Sequence, residues 1–111
     1  MENCMIPFAD IEKYFAIEHD CTEIEFNVDR LPDYQYCRMG KMWHPMGADD
    51  EYVYWFELFS DGSKNYEYDS FADFSNAPVF DGKSLKEIWD SVELLSVDDM
   101  DPEERVRSMI S

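Results

Sequence analysis

The chain has 111 residues, enough for one hydrophobic core but near the limit of independent folding if split in two, so a single domain over residues 1–111 is expected. Its 26 Asp plus Glu against nine Lys plus Arg give a net charge of −17. That balance lacks the clustered positive charge that phosphate backbones require, and argues against direct nucleic-acid binding. Apolar residues at 45% and aromatics at 16% exclude a disordered acidic tail and require a folded core.

Met1-Glu2-Asn3-Cys4-Met5-Ile6-Pro7 places an acid where a secretory signal carries positive charge, and no apolar run approaches the roughly 18 residues of a membrane span. A cytoplasmic location without membrane association is expected. After Pro7, the spacing of Phe8, Ile11, Tyr14, Phe15 and Ile17 predicts a helix over residues 8–18 with Asp10, Glu12 and Lys13 on its outer side. Residues 22–28 alternate without a break, so Ile24, Phe26 and Val28 face a core while Glu23, Glu25 and Asn27 face water. After a turn around Pro32, residues 34–39 are expected to form a second strand that ends at Gly40.

Residues 51–71 hold two aromatic-rich runs around Ser60-Asp61-Gly62-Ser63, the pattern of a β-hairpin. Polarity selects between two registers. A two-residue loop would mix Tyr54 and Phe56 with Glu67 and Asp69 on one face. A three-residue loop, with Gly62 left-handed, pairs Phe59 with Ser63 and gathers Tyr54, Phe56, Leu58, Tyr66 and Tyr68 on one side. The second register is preferred, and it leaves Val53, Trp55 and Phe59 among the acids of the other face.

Residues 70–81 carry Phe71, Phe74, Val79 and Phe80 without a sustained period and are expected to be an irregular connection. Ser84-Leu85-Lys86-Glu87 matches a capping box and starts a helix over residues 84–91, followed by a strand over residues 92–97. Asp101-Pro102-Glu103-Glu104 starts a short last helix that buries Val106, Met109 and Ile110. The expected fold class is α+β: an antiparallel sheet of four to five strands, with the hairpin at its centre or edge, two main helices on one face and a short C-terminal helix.

Several chemistries fit poorly. Cys4, Cys21 and Cys37 are odd in number and irregularly spaced, and so are expected as thiols rather than as a disulfide framework. His19, Cys21, Cys37 and His44 lack the tight paired spacing of zinc sites. The acids from Asp99 onward place Glu104 where a calcium loop needs glycine. The four glycines never cluster into a phosphate cradle, and no nucleophile motif is present. No cofactor, metal or catalytic residue is therefore assigned.

The charge and the aromatics remain. A strongly negative body meets basic surfaces faster through electrostatic steering, and Tyr and Trp anchor interfaces. The expected function is a non-enzymatic acidic domain that binds a basic protein surface, of the inhibitor or nucleic-acid-mimic type. The alternatives are a small hydrolytic or metal-dependent enzyme and a domain whose charge serves solubility alone. The candidate contact surface is the outer face of the hairpin: Val53, Trp55, Glu57, Phe59, Glu67 and Asp69. A helix covering that face would turn it into core; left open, it is a docking surface.

Overall fold

Two-residue alternation, carried in register from strand to strand, organises the molecule. The computed structural model describes residues 6–17, 21–29, 31–43, 52–58 and 63–110, with Trp43 described by its backbone alone. Five strands, β1 (Thr22–Val28), β2 (Cys37–Trp43), β3 (Tyr52–Leu58), β4 (Lys64–Tyr68) and β5 (Val92–Val97), form one antiparallel sheet in the order β4-β3-β2-β1-β5. The helices are α1 (Phe8–Ile17), α2 (Phe71–Asn76), α3 (Leu85–Ile88) and α4 (Pro102–Ile110), with a 3₁₀ turn over Trp89–Ser91. The expected α+β class is observed. The hairpin of β3 and β4 lies at a sheet edge, and no described helix is long and apolar enough to cross a membrane.

Opposite residues show which face is apolar. Ile24 meets Met39, Phe26 meets Cys37, Met39 meets Phe56 and Phe56 meets Tyr66, so one face is lined with large side chains. Tyr54 pairs with Tyr68 and Leu58 with Lys64, the register of the three-residue loop, although loop residues 60–62 and the Phe59–Ser63 pair lie outside the described residues. In β5 the pairing slips: Glu25 faces Ser96 but Phe26 faces Leu94, leaving Leu95 as an extra residue. This bulge resets the alternation, so that both Leu94 and Val97, three positions apart, point to the core side.

Every described helix sends its buried side chains to that same side: Ile11, Tyr14 and Phe15 from α1, Phe74 from α2, Leu85 and Ile88 from α3, and Val106 from α4. Phe74 stacks on Phe56 at 4.2 Å between ring centroids, and Phe80 meets Phe56 edge-on at 5.3 Å. Such ring pairs contribute about 0.5–1.5 kcal/mol beyond their buried area. Trp89 donates its indole N–H to the Ile6 carbonyl at 2.9 Å, tying the start of the chain to the end of α3.

The helix starts follow local chemistry. Ser84 and Glu87 form the expected capping box, and the hydrogen bonds from Ser84 hold the Glu87 carboxyl below its ordinary value. Asp101 accepts from the Glu104 amide at 3.1 Å and starts α4. Two expectations are corrected. Residues 71–76, read as irregular, form α2, because Ser70 accepts from the Asp73 amide and Phe71 and Phe74 fall one helical turn apart. The second strand spans Cys37–Trp43 rather than residues 34–39. Tyr36 is left-handed at φ 55° and cannot continue a strand.

Gly40 sits inside that strand because it must. A Cβ there would collide with the Thr22 carbonyl oxygen and lie 2.7 Å from Cζ2 of Trp55, whose benzo edge occupies the space. Gly40→Ala is expected to cost about 1–3 kcal/mol by overpacking, read as a lower urea midpoint. Adding Trp55→Ala should restore only part of that loss, since the Thr22 carbonyl stays in place.

Candidate functional site

The face opposite the helices carries the charge. Along it, Glu67, Trp55, Gly40 and Glu23 form one row across four strands, and Asn65, Glu57, Arg38, Glu25 and Ser96 form the next across all five. Glu93 lies opposite Asn27 on β5 and β1. Five glutamates, Glu23, Glu25, Glu57, Glu67 and Glu93, therefore share this face, and Arg38 is the one cation among the described strand residues of this parity, Lys41 and Lys64 having the other. Arg38 lies 4.0 Å from Glu57, both well exposed, an arrangement that contributes at most about 1 kcal/mol.

The residues expected to form a contact surface are distributed as follows. Val53, Trp55, Glu57 and Glu67 lie on this face together. Asp69 is exposed just past the end of β4, and Phe59 lies outside the described residues. Val53 is 4% exposed without belonging to the core cluster, and Trp55 is half-buried. No described helix covers the face. Between the rows is a hollow of about 350 Å³ lined by Glu23, Met42, Trp55, Glu57, Asn65 and Glu67.

Sequence reasoning missed two residues. Tyr36, 64% exposed, is held left-handed beside this face: its amide donates to Oδ1 of Asn27 at 2.7 Å, while Nδ2 of Asn27 donates to Glu93 at 3.3 Å. The left-handed backbone of Tyr36 costs on the order of 1–3 kcal/mol, and tyrosine is among the residue types that anchor interfaces. Lys41 is the other, a strand residue only 3% exposed on the core side. Its Nζ donates to the Phe15 carbonyl in the last turn of α1 and lies 4.3 Å from the Tyr52 ring centroid. A cation at a helix C-terminus and over an aromatic face offsets the cost of burial. Extending the alternation of β2 through Gly40 would have put Lys41 on the core side.

A second polar group joins α1, β1, the end of β5 and α4. Tyr14 and Thr22 hydroxyls lie 2.8 Å apart, Tyr14 donates to Oδ2 of Asp98 at 2.8 Å, and the Glu23 amide donates to Oδ1 of Asp98 at 2.9 Å. Arg105 completes the set 3.3 Å from Asp98. Asp98 and Asp99, at φ 52° and 65°, form a left-handed turn closed by paired hydrogen bonds between Val97 and Met100. The hydrogen bonds of this cluster run between its own members and the Glu23 backbone, so it fastens four elements together.

The two described thiols do not converge, and Cys4 lies outside the described residues. Cys37 is buried opposite Phe26, whereas Cys21 is exposed one residue before Thr22, which pairs with Lys41. Four residues of β2 separate these levels, about 13 Å along the strand. His19 and His44 lie outside the described residues, and among those described no cluster of His, Cys, Asp or Glu is arranged to hold a metal.

Burial, and to a smaller degree the adjacent Asp98, pushes the Tyr14 hydroxyl from its ordinary 10 up to about 12. A group with a raised folded value contributes stability that is complete below its unfolded value and is lost as pH rises toward the folded one. Between pH 10 and 12 the protein should lose on the order of 1–2 kcal/mol on this account. The gap in unfolding free energy between wild type and Tyr14→Phe is therefore expected to narrow from pH 8 to pH 11.5.

Compared with known protein families, with curated proteins and with solved structures, the chain matches none.

Proposed function

We propose that the chain is a non-enzymatic protein-binding domain that engages a basic protein surface through the sheet face opposite its described helices. One observation carries this reading: five glutamates against one arginine on a face that also holds a half-buried tryptophan and borders an exposed tyrosine. The carboxylates form an open negative lattice: Glu23 and Glu25 stand about 6.6–7 Å apart along β1, whereas across the sheet Glu57 and Glu25 are two strand spacings apart and Glu67 and Glu23 three. A basic surface meeting that lattice gains steering and register from the charges, while Trp55 and Tyr36 supply desolvated area. Occupation of a cationic groove, as an inhibitor or a nucleic-acid mimic would achieve it, follows from the same geometry.

Two double variants with equal charge change test the face rather than the charge. Glu57→Lys with Glu67→Lys alters the sheet face, and Asp73→Lys with Asp90→Lys alters the helix side. Wild type is expected to retain a basic partner from its own cell extract at 0.1 M salt and to release it near 0.5 M, where screening shortens to a few ångströms. The sheet-face pair should lose the partner even at low salt, and the helix-side pair should keep it. Equal loss with both pairs would replace the face with diffuse charge, and capture unaffected by salt would replace it with an apolar interface.

A further inference from the structure

We propose that the hollow around Trp55 receives an arginine side chain of the partner, its guanidinium stacked on the indole between the carboxylates of Glu23 and Glu67. This deepens the proposed function and rests on it. The row Glu67, Trp55, Gly40, Glu23 is the foundation. Gly40 has no side chain, so the indole reaches from β3 across to β2, with Cζ2 and Cε2 within 3 Å of the position a Cβ would take. The ring thereby fills the two middle places of the row. Glu67 is the cross-strand neighbour of Trp55 on β4 and Glu23 that of Gly40 on β1, each one strand spacing, about 4.8 Å between backbones, from an end of the pair that the ring spans.

An aromatic platform with a carboxylate at either end is complementary to a flat, delocalised cation. Among the described residues, neither Glu23 nor Glu67 has a side-chain hydrogen bond or ion pair, so both retain their full acceptor capacity. Guanidinium stacks on aromatic faces and spreads five N–H donors around its plane, enough to reach carboxylates on opposite sides at once. An ammonium is compact and strongly hydrated, and serves one side well. Met42 and the stem of Glu57 add apolar and polarizable walls, suited to the methylenes of a long side chain. The hollow, about 350 Å³, is at the small end of ligand pockets, the size for one side chain of a larger partner.

The test uses hexa-arginine and hexa-lysine peptides of equal charge, titrated at low salt into the ¹⁵N-labelled protein. The indole N–H of Trp55 is identified by its loss in Trp55→Phe. Hexa-arginine should move that resonance, leave the buried Trp89 indole in place, and bind at least about threefold more tightly than hexa-lysine. Glu23→Gln and Glu67→Gln, both at exposed positions, should each weaken hexa-arginine by about threefold or more, while Asp73→Asn on α2 should not. Equal affinity for the two peptides, or an unmoved Trp55 resonance while others shift, overturns the arginine site and leaves the basic-partner reading standing. Absence of any shift with either peptide overturns both.

Discussion

Parity along the strands is the constraint on which everything else depends. Four of the five strands are paired without a slip, so a side chain that points toward the helices on β1 has neighbours pointing the same way on β2, β3 and β4. β5 keeps the scheme by means of its bulge at Leu95, without which Val97 would turn outward. Because most large aromatic and aliphatic strand residues hold one parity, with Met42, Val53 and Trp55 on the other, hydrophobic burial draws all the described helices to one side. The glutamates of the strands have no choice but the other.

The scarce cations reinforce that separation. Lys41 is committed to the end of α1, Arg105 to Asp98, and Arg107 to Glu103 at 3.4 Å on α4. Each is used within the molecule, away from the open face, where Arg38 alone stands among five carboxylates. A domain with so few positive groups could have spread them evenly to lower its self-repulsion. With these three of the nine cations tied elsewhere, Arg38 is left as the one cation among the described strand residues whose parity points away from the described helices.

Much of this was legible in the residues, and the parts that were not share a cause. The capping box at Ser84, the cap at Asp101, the alternation of residues 22–28 and the hairpin register are local patterns, and local patterns can be read from neighbours in the chain. α2 is too short to show a period, and only the Ser70 and Asp73 spacing hinted at it. β2 was misjudged because Gly40 reads as a stop in isolation, and its reason for being glycine lies on another strand, in Trp55. Asp98 reaches partners 76 and 84 residues away, which no window of sequence contains. For the candidate site, the division of residues between faces followed from polarity alone. Whether the acidic face stayed open depended on where the helices packed, and that is settled only by the whole core.

The order of the sheet has one more consequence. Its two outer strands differ: β5 is interrupted by a bulge and contacts α4, whereas β4, which contacts α2, is a regular five-residue ladder paired with β3 alone among the described strands. A bulge twists a border away from straight pairing, so the β5 rim is blunted. Among the described strands, the rim of β4 is therefore the one whose ladder runs regular to the edge of the sheet.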